Sequence, residues 1–404
     1  MNSFLLYIDP GTGSMLFSIF IGLATTLYFV IKALFIKFKY VFSAKKDTKV
    51  ETVSSPIVIY NEGKQYCSSF HPILKEFEKR KEHVLYLTSY EEDAFLNQNS
   101  EYVKAEFIGT GNKAFAKLNF LSCDVLLLTT PGLDVYQIKK VKTVKHYSHI
   151  LHAPTDATSY RLFGIDYYDS VLLTGDYQKR DIRYLEEARN LHEKELVSVG
   201  CPYLDGALEN ISNYESSDDF TVLVSPSWGP SSLLARYGEK LLEALSKTGW
   251  KIIIRPHPQS KVSEAEILEK LSIQYKDNQN ITWDYEKDNM IAMSKSNVMI
   301  SDFSGIIFDY AFLFNNPIFY VDVQFDKTPY DMDDVPNEAW VFETLKQIGV
   351  QINQDDFDSI KDIIEKAISN EDLISAREKA KNEAWMYQNE SARRVVDFLI
   401  SKKK

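Results

Sequence analysis

Short runs of four or five apolar residues recur along this chain, separated by stretches long enough for a helix. One series falls at 57–60, 84–87, 102–108, 125–128, 168–174 and 196–199, and a second at 221–224, 251–254, 297–300 and 319–322. Most are continuous rather than alternating, which is the pattern of strands covered on both faces, as in a parallel sheet. Between them, apolar positions repeat at helical spacing, as at 70–81, 233–245, 263–271, 288–295 and 306–314, and two helical stretches at 357–369 and 373–401 close the chain. Alternating strands and helices predict βα units. A polar, turn-rich stretch at 205–219 separates the series and predicts two α/β domains, at 56–205 and 220–404, with a cleft between them.

The N-terminus follows a different pattern. No charged residue occurs from Met15 to Ile31, and apolar character resumes from Ala33 to Ile36. Roughly 20 such residues cross a hydrocarbon core. A cleaved leader expects positive charge before the run, yet the lysines (Lys32, Lys37, Lys39, Lys45, Lys46, Lys49) all follow it. The expectation is an uncleaved single-pass anchor within 1–40 and a linker at 41–55. By the positive-inside rule, the domains then lie on the cytoplasmic side of the cell membrane.

Composition narrows the function classes. A formal net charge of −11 over 404 residues argues against a nucleic-acid binder, whose phosphate contacts need a basic surface. Cys67, Cys123 and Cys201 are too scattered for a disulfide framework or a zinc motif.

Candidate chemistry gathers where strands end. Ser301-Asp302-Phe303-Ser304-Gly305 follows a strand run and opens a helix containing Asp309 and Tyr310. Free N–H groups and hydroxyls at such a helix start suit an anion, although Asp302 or Ser304 is also a plausible plain cap. Ser227 and Ser231, within Ser225-Pro226-Ser227-Trp228-Gly229-Pro230-Ser231-Ser232, offer donors at a similar turn, or merely cap a helix. Arg255-Pro256-His257-Pro258 sets a planar donor fork and an imidazole on a backbone stiffened by two prolines. An arginine committed to a structural pair is the alternative there. In the first domain, His146, His149 and His152 alternate across a strand, so three-histidine metal binding is not expected. His152, at the strand's carboxyl end before Ala153-Pro154-Thr155, is placed to act as a base.

Together, Ser225 to Ser232, Arg255-Pro256-His257-Pro258 and Ser301 to Tyr310 resemble the CDP-glycerol glycerophosphotransferase family, the teichoic-acid polymerases and primases. The resemblance spans about 57–398. It implies a GT-B fold, two Rossmann-like domains facing a cleft, and transfer of glycerol phosphate from CDP-glycerol to a surface polymer or lipid-linked primer, with CMP released. Arg255, His257, Ser304, Gly305 and Asp309 then match donor-binding positions, with Ser301, Asp302, Ser227 and Ser231 beside them. His257 would also assist catalysis. The family's first-domain base sits in His-Gly-Thr-Pro; here His152-Ala153-Pro154-Thr155 is nearest, and His149 remains an alternative. Gly305 stands where the family has a second serine. No cofactor beyond the CDP-linked substrate is expected, and no paired-carboxylate spacing calls for a metal. A sugar transferase using a UDP- or CMP-linked donor and a nucleotide-sugar epimerase are the competing readings on the same layout.

Overall fold

The computed structural model describes residues 55–323 and 325–403, together with Leu27, Tyr28, Ile31 and Lys32. The expected anchor and all but the end of the expected linker thus lie outside the described residues, those four apart. Among the described residues, no helix is long and apolar enough to cross a membrane.

The first sheet is built from β1 (Ile57–Asn61), β2 (Val84–Thr88), β3 (Val103–Phe107), β4 (Val125–Leu128), β5 (Tyr147–Ile150), β6 (Ser170–Leu173) and β7 (Glu195–Ser198). Its strands lie in the order β3-β2-β1-β4-β5-β6-β7, every neighbouring pair parallel. The second sheet contains β8 (Thr221–Val224), β9 (Lys251–Ile254), β10 (Ile281–Trp283), β11 (Val298–Ser301), β12 (Ile318–Val321) and β13 (Val350–Ile352). Its order is β10-β9-β8-β11-β12-β13, again all parallel. Central strands are buried along their whole length, as the continuous apolar runs require, and the polar positions of β3, β10 and β13 fall on outer strands. Strand order reverses between β1 and β4 in one sheet and between β8 and β11 in the other. Crevices open at such reversals, beyond the strands' carboxyl ends.

Helices cover the second sheet on both faces. Leu233–Ser246, Ala265–Gln274 and Ile360–Ile368 share one core, while Ile306–Phe314, Trp340–Ile348 and Glu371–Ala384 share the other. Three features differ from the sequence reading. The stretch expected to be turn-rich from 205 begins inside a helix, Pro202–Asn210, with proline at its first turn. The expected closing helix at 373–401 is two helices, Glu371–Ala384 and Ser391–Ser401, with Tyr387 and Asn389 at positive φ between them. One buried carboxylate explains both: Asp205 accepts from Trp385 Nε1 at 2.8 Å, Asn389 N at 2.8 Å and Ser391 N at 3.0 Å. Finally, the last helix does not stay with the second sheet. Its Val395, Val396 and Leu399 are buried with Ile57, Ile59 and Phe70 of the first core, tying the tail back to the start of the fold.

Candidate active site

In the first half, the backbone leaves β5 at Ile150 and turns through a loop and a short helical turn to Tyr160. This loop encloses a cavity of about 160 Å³ lined by Leu151, His152, Ala153, Thr155, Asp156, Ser159 and Tyr160. His152 Nδ1 stands 3.3 Å from Thr129 Oγ1, just past β4, and 3.2 Å from the Tyr160 hydroxyl. The Tyr66 ring meets the imidazole edge-on at 5.1 Å. Burial holds His152 down to about 4, so the ring is neutral near pH 7. His149 is fully buried on β5, wedged edge-on between Tyr160 and Tyr168. Of the two histidines, His152 is the one that lines the cavity.

The second half contributes three loops around the β8/β11 reversal. Asp302 organises two of them. Its Oδ1 accepts from Ser227 N and its Oδ2 from Leu233 N, both at 2.9 Å, and Ser301 Oγ donates to the Ser225 carbonyl at 2.6 Å. Ser301 and Asp302 are therefore buried fasteners between the loops; neither presents a free group to the cleft. Ser232, next to the predicted Ser231, caps the helix Leu233–Ser246.

Ser304 and Gly305 differ from these. Gly305 is exposed at the start of Ile306–Phe314, with no side-chain cap, and the N–H groups of Gly305 and Ile306 have no protein acceptor among the described residues. A Cβ added at Gly305 would lie 3.8 Å from Thr155 Cγ2. The helix start thus lies against the loop that carries His152.

Arg255 and His257 both follow β9 but are committed differently. The Arg255 guanidinium is held by Asp284 at 2.5 Å and donates to the Glu286 carbonyl at 2.8 Å, so a structural pair fixes it at the rim. His257 Nδ1 accepts from Gln259 N at 3.1 Å, which places the proton of the neutral ring on Nε2. Its ring packs nearly parallel to the half-exposed Trp228 at 6.2 Å, and burial lowers its pKa. Asp309 lies further along the same helix, Ile306–Phe314. It accepts from Tyr203 at 3.0 Å, and burial raises its carboxyl to about 7.

Two carboxylates are prominent among the contacts that stitch the halves together. Asp156 accepts from Trp340 N and Val341 N at 2.9 Å each, capping the helix Trp340–Ile348 from across the cleft. Asp331 accepts from Phe163 N at 2.8 Å and pairs with Arg189 at 2.7 Å. Cys67, His71 and Asp93 are a possible metal-ligand trio among the described residues. The Asp93 carboxylate, however, is already surrounded by donors from Tyr86, Asn61, Thr88, His71 and Phe95. It reads as the hydrogen-bonded hub that seats the helix Cys67–Arg80.

Residues 165–401 match the family described as CDP-Glycerol:Poly(glycerophosphate) glycerophosphotransferase. The chain belongs to this family. It is accordingly a transferase of the CDP-glycerol glycerophosphotransferase type. No curated protein matches the chain. Among solved structures, the wall teichoic acid polymerase TagF soaked with CDPG superposes with TM-score 0.55 at 13% identity, covering 94% of this chain and 97% of that one. MnaA of S. aureus with UDP gives 0.56 at 14% identity, covering 86% and 96%. A putative UDP-N-acetylglucosamine 2-epimerase from Listeria monocytogenes gives 0.54 at 12%, covering 85% and 95%. At such identities the likeness is one of fold, the two-sheet GT-B type. The glycerophosphotransferase match begins beyond His152, so the first-half site stands on its geometry alone. Tyr160 and Thr129 were not singled out from the sequence: each reaches His152 from a different segment, and no local pattern marks them.

Proposed function

We propose that this chain transfers glycerol phosphate, or a related polyol phosphate, from CDP-glycerol to a hydroxyl of a surface polymer or its lipid-linked primer. The observation that carries this reading is the 3.8 Å approach between the Gly305 position and Thr155, which sets an anion-suited helix start beside the cavity of a neutral histidine. In this mechanism the donor diphosphate lies over the N–H groups of Gly305 and Ile306, with the Ser304 hydroxyl and the Nε2–H of His257 as further donors. Arg255 adds its charge from the rim, kept in plane by Asp284. Nε2 of His152 takes the proton of the acceptor hydroxyl. The acceptor oxygen bonds to the β-phosphorus as the bridging P–O bond breaks, and CMP leaves with the electron pair. The nearby phosphates raise the basicity of His152 from the low value that burial alone gives it. Asp309, raised to about 7 by burial and so partly protonated near neutrality, backs the donor helix through its bond with Tyr203.

The membrane completes the proposal. The uncharged run from Met15 to Ile31 with lysines only after it supports a single-pass anchor, which would hold the active site at the cytoplasmic face near a lipid-linked acceptor. Mass spectrometry of products formed from a mixture of CDP-glycerol and CDP-ribitol, with a lipid-linked primer as acceptor, tests the reading. Addition of a polyol phosphate unit supports it. Absence of any such product, together with thermal stabilisation by UDP but not by CDP or CMP, overturns it in favour of a sugar-nucleotide enzyme.

A further inference from the structure

Behind His152 lies a buried hydroxyl shared by two histidines. Tyr160 OH is 3.1 Å from His149 Nε2 and 3.2 Å from His152 Nδ1, and it also bonds the Thr129 hydroxyl, itself 3.3 Å from His152 Nδ1. His149 fixes the polarity of this cluster. Its Nδ1 is buried with no partner. A buried N–H left unpaired is rarer and costlier than a bare acceptor, so the proton of His149 sits on Nε2 and is donated to the Tyr160 oxygen. Burial also keeps that ring neutral, holding it down to about 3. The Tyr160 oxygen then has one lone pair and its own hydrogen left for His152 and Thr129.

We propose that the Tyr160 hydroxyl is the positioning group of His152: it accepts the Nδ1 proton and turns its own hydrogen to Thr129, leaving Nε2 bare toward the cavity. The inference rests on the reading of His152 as the base and adds what makes it one. A neutral imidazole can take the acceptor's proton only on an unprotonated nitrogen, and the opposite polarity, Tyr160 donating to Nδ1, would put a hydrogen on Nε2 and disable it. Burial pushes the Tyr160 phenol up, so it remains a neutral hydroxyl through the cycle. When His152 gains the acceptor's proton, its Nδ1–H stays directed at the Tyr160 oxygen, and no second proton transfer is needed. This is the orienting part that a carboxylate plays in a catalytic triad, here filled by a phenol braced from behind by a second histidine.

The test compares the full chain with Tyr160→Phe, which deletes only the hydroxyl, and His152→Ala, which removes the base. Three readouts are needed: CMP release, the thermal unfolding midpoint, and ¹⁵N imidazole NMR of histidine-labelled protein. The expected result is an Nδ1–H tautomer for His152 in the unaltered protein. In Tyr160→Phe the tautomer shifts toward Nε2–H, and kcat falls about 10²-fold with KM for the donor little changed. An Nε2–H tautomer in the unaltered protein overturns the inference, whether or not the variant folds. So does normal kcat in a folded Tyr160→Phe while His152→Ala is inactive, and in that case the base assignment survives. Near-normal activity in His152→Ala removes both.

Discussion

Replacing Asp302 by alanine cuts the fastening between the two donor-side loops. Its carboxylate is 1% exposed, and its two oxygens accept from Ser227 N and Leu233 N at 2.9 Å each. Ser227 and Leu233 are themselves buried, so bulk water does not freely replace the lost acceptor. Leaving a buried N–H unpaired costs about 1–3 kcal/mol, so truncation is expected to destabilise the fold by about 2–6 kcal/mol. Asp302→Asn keeps one acceptor and turns an amide N–H₂ against the second N–H, so it should fall between alanine and the native residue. Equilibrium urea unfolding followed by circular dichroism measures the difference. The Ser225 to Ser232 loop also loses one of its tethers, with Ser301 to the Ser225 carbonyl remaining, so stabilisation of the variant by CDP-glycerol in a thermal shift should shrink. A loss below about 1 kcal/mol for Asp302→Ala would refute the reasoning, because two buried N–H groups cannot lose their acceptor so cheaply.

Other consequences follow from the same kind of accounting. His149 and His152 are held to about 3 and about 4 in the fold, against an ordinary 6.5. The unfolded chain therefore binds protons that the folded one refuses, and stability, full above pH 6.5, is lost as pH falls toward 4, by on the order of 3 kcal/mol for each histidine. Unfolding at matched pH values should show a shallower loss in His149→Gln; an unchanged slope contradicts the assignment. Asp205→Ala removes the acceptor of Trp385 Nε1, Asn389 N and Ser391 N, and should cost about 3 kcal/mol or more. Protease cleavage near the break between the last two helices should rise with it, and unchanged resistance would count against that anchor. Gly305→Ser restores the family's hydroxyl at a position where a Cβ meets only Thr155, at 3.8 Å. It should alter stability by no more than about 0.5 kcal/mol and leave KM for the donor equal or lower; a raised KM would mean that the helix start is not where the donor binds.

Much of the architecture was legible because burial on both faces writes strands as unbroken apolar runs. Val125–Leu128 and Thr221–Val224 occupy the residues their patterns predict. β10 and β13 escaped notice because each is three residues long at a sheet edge, with Thr282 or Gln351 facing solvent. The sequence of Pro202–Asn210 looks turn-like on its own because the partner of Asp205 lies 180 residues on, at Trp385. The site divides the same way. Glycine and serine after a strand announced the helix start at Gly305, a local property. The commitment of Arg255 to Asp284 and the sharing of Tyr160 by His149 and His152 depend on residues brought together only by the sheets. Sequence could nominate His152 without showing what stands behind it.

The most direct measurement of the central claim is CMP release from CDP-glycerol by the full chain, with a lipid-linked primer as acceptor, beside His152→Ala with its fold verified by circular dichroism. The account predicts loss of about 10³-fold in kcat, within the range for removing a general base, with donor binding retained. A folded His152→Ala that releases CMP at near the native rate would contradict it.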